Sequence, residues 1–182
     1  MKHIIIAGAP RSGKTTISRE LTAFSGCVHY RLDSIKRAVF EIFCPDKKDW
    51  HFASQMTVKI IQKLVDDNNQ ESVRKEFFIF DTPHLYPEDV IALNPEEFII
   101  VFVGYTDVNV EEKVKSILKY DAKTCWTQKL SKEKLTSLVE GNVRFSKEIK
   151  SQCAKYHIPY FDVSNDPVNV LNDVKNYIKA NL

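Results

Sequence analysis

Hydrophobic residues along the chain form two kinds of pattern, short unbroken runs and longer stretches with helical spacing. The unbroken runs predict five buried β-strands, at residues 2–7, 27–32, 76–81, 98–104 and 158–163. The stretches between them repeat apolar residues every three or four positions, as at Phe52, Met56, Ile60 and Leu64. This second spacing is typical of amphipathic helices with one buried face. The chain therefore alternates between predicted strands and predicted helices.

The predicted helices are bounded by polar runs, prolines and residues that cap helix ends. We predict helices at residues 14–24, 34–43, 51–65 and 131–155. The third of these ends at the polar run 66–69, and Pro87 opens a short helix further along. Asn109, Ser131 and Asp166 are placed to cap the helices that follow them.

Apolar strands separated by helices indicate a parallel sheet with helices on both faces. We expect a single α/β domain over residues 1–182, built as a three-layer sandwich. Sheets of this kind bind ligands at the carboxyl ends of their strands. The residues predicted at those ends are Gly8, Asp33, Asp81, Gly104 and Ser164.

Composition and charge narrow the classes of function. The chain of 182 residues has a formal net charge of +2 at pH 7, which gives no electrostatic case for general nucleic-acid binding. No apolar run approaches the roughly 20 residues of a membrane helix, and no signal peptide precedes the first strand. The scattered cysteines favour free thiols in the cytoplasm; they are Cys27, Cys44, Cys125 and Cys153. We expect a cytoplasmic protein with no nucleic-acid or membrane partner, and we leave its oligomeric state open.

A glycine-rich segment follows the first strand and fits the Walker A pattern G-x-x-x-x-G-K-[ST]. In this pattern the glycines let backbone N–H groups surround phosphate oxygens, and the next helix points its positive end at them. Lys14 is expected to reach the β- and γ-phosphates, and Thr15 to offer its hydroxyl to Mg²⁺. The predicted ATP-binding residues are Gly8, Ala9, Pro10, Arg11, Ser12, Gly13, Lys14, Thr15 and Thr16.

Two carboxylates at strand ends are candidates for chemistry. Asp81 follows four apolar residues, the usual form of a strand whose carboxylate supports Mg²⁺, so we predict a metal role. Asp33 is placed to orient an acceptor hydroxyl and to take its proton. For each carboxylate the alternative is a cap on the turn or helix that follows.

Two cations and a histidine are candidates for the acceptor site. Lys36 and Arg37 fall in the first turn of the helix predicted from residue 34, where positive charge is unfavourable. This placement hints at an anionic partner, although solvated surface charge is the alternative. His84 and Tyr86 lie just beyond the third strand, and we count His84 among the substrate-binding candidates. Cys27 and His29 share a face of the second strand, but no further ligands suggest a metal site there.

With its glycine loop, Asp33 and Asp81, the chain resembles the small P-loop kinases, such as adenylate, shikimate and gluconate kinases. The resemblance implies a five-stranded parallel sheet in the order 2-3-1-4-5 and a mobile lid at about residues 105–135, here called the lid segment. Three departures stand out. Arg11 replaces a glycine that is usual in adenylate kinases, the lid segment contains no arginine, and shikimate kinases have a glycine-rich turn where this chain has residues 81–84.

A kinase needs positive charge on the transferred phosphoryl group. Arg144 looks similar to the arginine of the adenylate kinase group that reaches back to the phosphates from the helix after the lid. Arg11 and Lys119 are alternatives for this role. The aperiodic stretch 120–130 contains Trp126, which is placed to close over a base or a substrate ring.

These features predict a kinase that transfers the γ-phosphoryl group of Mg-ATP to the hydroxyl of a small molecule. One alternative is a nucleoside monophosphate kinase whose acceptor phosphate is clamped by Arg31, Lys36, Arg37 and Arg11. Another is an ATP-binding regulatory protein without an acceptor. Thr82 stands where many ATP hydrolases carry a glutamate, which argues against a fast ATPase.

Overall fold

The structure is a computed structural model that describes residues 2–43, 49–70, 76–83 and 85–182. Within these ranges five strands form: β1 (His3–Gly8), β2 (Val28–Arg31), β3 (Phe78–Pro83), β4 (Phe98–Gly104) and β5 (Tyr160–Asp162). The α-helices of the same ranges are α1 (Lys14–Ser25), α2 (Leu32–Phe43), α3 (Trp50–Gln70), α4 (Pro87–Val90), α5 (Val110–Tyr120), α6 (Lys132–Tyr156) and α7 (Pro167–Asn181). A short 3₁₀ helix, Trp126–Lys129, lies between α5 and α6.

The strands form one parallel sheet in the order β2-β3-β1-β4-β5, which confirms the predicted topology. β1 lies at the centre, and Ile6 pairs with Asp81 on one side and with Val101 on the other. All of β1 is buried, as expected for a strand with neighbours on both edges and helices on both faces. The chain therefore leaves β1 in the middle of the sheet edge where ligands bind in folds of this class.

The core has two layers because successive side chains of a strand point to opposite faces. Ile4 and Ile6 pack against one group of helices, chiefly α1, α5 and α7. Ile5 and Ala7 pack on the other face against α3 and α4. The long helix α6 contributes to both layers, and this arrangement is the predicted three-layer sandwich.

The predicted caps of three helices are confirmed. The side-chain oxygens of Asn109, Ser131 and Asp166 accept hydrogen bonds from backbone N–H groups three residues further along. These bonds satisfy donors that have no partner within the helix itself. The boundaries of α5, α6 and α7 are thus set by local chemistry.

Helix α3 is longer than predicted, since it continues through the polar run 66–69 to Gln70. Asn68 explains the difference, because its side chain is buried and faces the strand that follows. Its amide nitrogen donates to the Glu76 carbonyl at 3.0 Å, and its oxygen accepts from the Glu76 N–H at 2.9 Å. A polar residue that suggested a helix end instead binds the helix to the start of the segment leading to β3.

Two other boundaries differ near the candidate site. Helix α2 begins at Leu32, two residues before the prediction, so Lys36 and Arg37 lie in its second turn rather than its first. Strand β3 continues past Asp81 to Pro83, because residues 79–83 remain paired with β1. Asp81 is therefore a side chain on the strand itself and not the residue that ends it.

No helix in the described part of the chain is long and apolar enough to cross a membrane. Cys27, Cys125 and Cys153 are free thiols, as predicted. Cys44 lies outside the described residues.

A polar network joins the ends of β4 and β5. The Asp162 carboxylate accepts hydrogen bonds from the hydroxyls of Thr106 and Ser164 at 2.5 Å and from the Lys150 ammonium at 3.0 Å. Burial raises the pKa of Asp162, but these hydrogen bonds outweigh burial and bring the pKa down to about 2. The ionised carboxylate thereby holds the first residues of the lid segment against β5.

Replacement of Asp162 by asparagine is expected to lower the free energy of unfolding by about 1–2 kcal/mol at neutral pH, after allowance for solvent screening. The folded-state pKa lies below the unfolded value, so the ionised group stabilises the fold above about pH 4. This contribution is lost as the pH falls toward 2. Urea unfolding of both proteins at several pH values measures it, and a difference that persists unchanged at pH 2 would contradict the assignment.

Candidate active site

The glycine loop of residues 8–15 connects β1 to α1 and depends on two residues without side chains. Gly8 has φ of 123°, and a Cβ at this position would clash with the Val103 carbonyl oxygen of β4. Gly13 has φ of 94°, and a Cβ there would lie 2.7 Å from Leu171 of α7. Both backbone conformations are disfavoured for other residues. The two glycines allow the loop to turn sharply between packed elements.

Arg11 is the third loop residue with positive φ, at 62°, although it has a side chain. The left-handed region costs such a residue on the order of 1 kcal/mol. A tertiary contact can offset this cost, and Arg11 makes several to the lid segment, described below.

The side chain of Lys14 is folded back into the loop. It is almost fully buried, and its ammonium donates to the Ala9 carbonyl at 2.6 Å. Burial lowers the pKa of Lys14 to about 8, although the charges of Asp81 and Asp33 oppose the shift. Lys14 and these two carboxylates are therefore close enough to interact electrostatically.

A hydrogen bond joins the first turn of α1 to β3. The Thr15 hydroxyl donates to Oδ2 of Asp81 at 2.5 Å. Asp81 is buried on β3. It pairs with Ile6 of β1, the strand that leads into the glycine loop. The structure thus brings together the two residues that the sequence assigned to Mg²⁺.

The residues of the loop fit Mg-ATP. The Ser12 hydroxyl is buried and has no hydrogen-bond partner among the described residues, so an incoming oxygen acceptor would satisfy it. The Lys14 ammonium and the N-terminus of α1 supply positive charge for phosphates. The Thr15 hydroxyl and the Asp81 carboxylate are oxygen ligands of the kind that Mg²⁺ prefers, directly or through water.

Asp33 and the two predicted acceptor-site cations form a group on α2. The Asp33 carboxylate lies 3.3 Å from the Lys36 ammonium and 3.5 Å from Nε of Arg37. The Asp33 side chain is 41% exposed, whereas the Lys36 side chain is only 7% exposed. Lys36 also lies 5.6 Å from the ring centre of Trp50. The two cations thus have a partner within the protein and lie outside the first turn of α2, so their position by itself does not call for an anionic ligand.

The lid segment contacts the glycine loop through a group of polar side chains, here called the lid cluster. Nη1 of Arg11 lies 2.8 Å from Oδ1 of Asp121, and Nη2 donates to the Cys125 sulfur at 2.9 Å. The Thr127 hydroxyl donates to the other Asp121 oxygen at 2.5 Å. The Lys113 ammonium donates to the Arg11 carbonyl at 3.1 Å. The lid cluster therefore ties the loop to α5 and to the 3₁₀ helix.

The Cys125 thiol is perturbed by its place in the lid cluster. Burial raises its pKa, but hydrogen bonds from Thr127 and the nearby Arg11 outweigh burial, so the net shift is downward. Cys125 and Asp121 therefore both contact the Arg11 guanidinium across the lid cluster.

Three other candidate residues lie beyond the glycine loop. Arg144 is exposed on α6, and its guanidinium lies alongside Gly141. Trp126 begins the 3₁₀ helix and is 50% exposed. Tyr86 is buried and stacks on His51 with ring centres 4.2 Å apart. His84 lies outside the described residues.

Two features of the site could not be predicted from the sequence. Asp121 and Cys125 are far from Arg11 along the chain and belong to no motif, so their contacts with it follow only from the fold. The sequence suggests no metal site at Cys27 and His29, yet Nε2 of His29 lies 3.8 Å from Oδ2 of Asp81. The predicted strand order could have indicated this approach, because it places β2, which carries His29, next to β3, which carries Asp81.

The chain shares its fold with solved small-molecule kinases at low sequence identity. A shikimate kinase from Bacteroides thetaiotaomicron superposes with a TM-score of 0.63 at 12% identity, over 98% of each chain. A sugar kinase from a Janibacter species gives 0.60 at 14%, over 98% of this chain and 95% of the other. A gluconokinase from Sinorhizobium meliloti gives 0.56 at 11%, over 99% and 97%. No known family profile and no curated protein sequence matches the chain.

The chain therefore has the same fold as these small-molecule kinases. The matches cover 98–99% of this chain, so the likeness extends over nearly its whole length. Sequence identities this low support a shared fold but give no information about the substrate.

Lys14 should contribute directly to nucleotide binding. Lys14→Met keeps most of the volume and removes the charge, so we expect binding of a non-hydrolysable ATP analogue to weaken at least tenfold, with the fold unchanged. Isothermal titration calorimetry measures the affinity, and circular dichroism checks the fold. Lys115→Met, on the exposed face of α5, is the matched control. Equal affinity of wild type and a folded Lys14→Met protein would refute the assignment.

The lid cluster should restrain the lid segment in the free protein. Asp121→Asn keeps the shape but removes the charge opposite Arg11, an interaction of about 1 kcal/mol. We expect amide hydrogen exchange at residues 121–130 to become about fivefold faster in the free protein. Mass spectrometry measures the exchange, with Glu140→Gln on α6 as the control. Unchanged exchange in Asp121→Asn would show that the contact does not hold the lid segment.

Proposed function

We propose that the protein is a kinase that transfers the γ-phosphoryl group of ATP to a hydroxyl of a small molecule. The observation that carries this proposal is the joined arrangement of the glycine loop, the buried Lys14 and the Thr15–Asp81 hydrogen bond. The shared fold with kinases for shikimate, a sugar and gluconate supports it, since these compounds carry hydroxyl groups.

The loop binds the phosphates through its backbone N–H groups, the Ser12 hydroxyl and the Lys14 ammonium. Thr15 and Asp81 would hold Mg²⁺, which neutralises charge on the phosphates when it is bound. The Thr15 hydroxyl can donate to Asp81 and bind the cation at the same time, because donation of its hydrogen leaves the oxygen lone pairs available.

Asp33 acts on the acceptor. Its carboxylate is the exposed member of the group on α2 and lies in the same electrostatic neighbourhood as Lys14. As the acceptor oxygen bonds to the γ-phosphorus, Asp33 takes the hydroxyl proton, and the bond between that phosphorus and the leaving ADP oxygen breaks. Lys36 and Arg37 hold the carboxylate in place for this step.

Arg144 is the candidate cation for the transferred phosphoryl group. No ion pair among the described residues involves it, so its guanidinium is available to a ligand. One buried residue of α6 connects this helix to the site: Asn142 contacts the hydroxyl of Tyr105, which directly follows β4, and that hydroxyl donates to the Pro10 carbonyl at 3.0 Å. Closure of the lid segment would exclude water from the same site.

A hydroxyl acceptor is favoured over a phosphate acceptor by the ion pairs on α2. A phosphate clamp needs cations that are free to meet the incoming dianion, and here Lys36 and Arg37 already contact Asp33. A carboxylate at the centre of such a clamp would also repel the acceptor phosphate.

Replacement of Asp33 tests this mechanism. Asp33→Asn keeps the shape of the side chain but cannot take a proton, so the rate of phosphoryl transfer should fall about 10²-fold or more. The acceptor is first identified by a thermal-shift screen of hydroxyl-bearing metabolites with the ATP analogue present. Single-turnover transfer from ATP to that acceptor then gives the rate.

Binding of the analogue should change little in Asp33→Asn, and the exposed Asp173→Asn on α7 serves as the control. Near-normal transfer by Asp33→Asn would favour a phosphate acceptor. If no compound in the screen raises ADP production above the basal rate, an ATP-binding regulatory protein becomes the better interpretation.

A further inference from the structure

His29 lies on the edge strand next to β3 and faces the metal-binding candidates. The parallel register pairs His29 with Ile79 and Arg31 with Asp81. Residues two apart on a strand share a face, and paired residues on neighbouring strands do too. His29 and Asp81 therefore project from the same face of the sheet, the face that α1 and Thr15 also cover.

The ring of His29 has a polar atom whose bonding is incomplete. Nε2 is buried and has no hydrogen-bond partner within the described ranges. A buried polar atom left in this state destabilises the folded protein. Such atoms are rare in folded proteins, and an explanation is usually found in a bound group or a functional rearrangement.

The nearest acceptor for Nε2 is the Asp81 carboxylate. The separation from Oδ2 is 3.8 Å, which is longer than a hydrogen bond and is closed by a shift of roughly 1 Å. The same oxygen already accepts from Thr15, so His29 and Thr15 approach Asp81 from different elements, β2 and α1. An ionised carboxylate has about four lone-pair sites, and the Thr15 bond uses one of them.

We propose that His29 is a positioning residue for magnesium in the Mg-ATP complex. This inference rests on the proposed function and deepens it. The N–H on Nε2 donates to Asp81 and sets the orientation of the carboxylate, while Thr15 holds the carboxylate from the other side. Groups behind metal ligands act in this way, and their removal commonly weakens metal binding 10- to 100-fold.

The test compares two variants that differ in one donor. His29→Leu keeps the volume and removes the N–H, whereas His29→Gln keeps an amide donor at a similar reach. Calorimetric titration of Mg²⁺ into protein saturated with the β,γ-imido analogue of ATP gives the metal affinity. We expect about tenfold weaker binding of Mg²⁺ in His29→Leu and a value near wild type in His29→Gln.

Two controls separate positioning from a general structural role. Affinity for the analogue without Mg²⁺ should be the same in wild type and both variants. Tyr30→Phe, on the opposite face of β2 where it stacks on Phe80, should leave the Mg²⁺ affinity unchanged. Equal Mg²⁺ affinities in wild type and His29→Leu would overturn the inference, as would an equal loss of analogue binding with and without the metal.

A measurement on the wild-type protein remains decisive if His29→Leu does not fold. Nitrogen-15 NMR of the His29 ring should show a protonated Nε2 whose signal shifts when Mg²⁺ is added to the analogue complex. No shift would overturn the inference. If wild type binds the analogue but Mg²⁺ changes neither its affinity nor the ring signal, the positioning role fails while phosphate binding stands. If wild type does not bind the analogue at all, the proposed function fails as well.

Discussion

The close approach of two central strands at Gly8 is the constraint on which the site depends. The Val103 carbonyl oxygen of β4 occupies the space that any side chain at Gly8 would need, and the same oxygen accepts a hydrogen bond from the Ala9 N–H at 3.1 Å. The chain therefore leaves the buried strand β1 in only one direction. That direction places Lys14 under the loop and Thr15 beside Asp81.

Three cations in and near the loop have acceptors within the protein. Lys14 donates to a loop carbonyl and is flanked by Asp81 and Asp33, Lys36 is paired with Asp33, and Arg11 is paired with Asp121. Buried or half-buried cations are costly unless they are paired in this way. A nucleotide would compete with some of these internal acceptors. Binding of phosphates and rearrangement of the surrounding side chains are then linked through the same few contacts.

The lid segment is attached to the rest of the protein near its start and near its middle by different kinds of contact. Near its start the Asp162 carboxylate holds Thr106 to β5, and near its middle the lid cluster holds Asp121 to Arg11. The first contact involves a strand end that stays packed in the sheet. The second involves the loop predicted to hold phosphates, so its stability is expected to depend on what the loop binds. Movement of the lid segment would then be confined to its central and later residues.

The sequence by itself determined the features that depend on neighbours along the chain. The glycine loop, the caps at Asn109, Ser131 and Asp166, and the strand positions were all predicted, because each follows from a few adjacent residues. The order of the strands was predicted from the resemblance to the small P-loop kinases, and the observed sheet confirms it.

Only the tertiary structure decided how distant residues meet. Three contacts join segments with no shared local pattern. They are the ion pair of Arg11 with Asp121, the approach of His29 to Asp81 and the hydrogen bonds of Asn68 with Glu76. The polar character of Asn68 suggested a helix end because a sequence does not show which polar side chains will find buried partners. Such partners are set by strand register and helix packing, and these are properties of the whole chain.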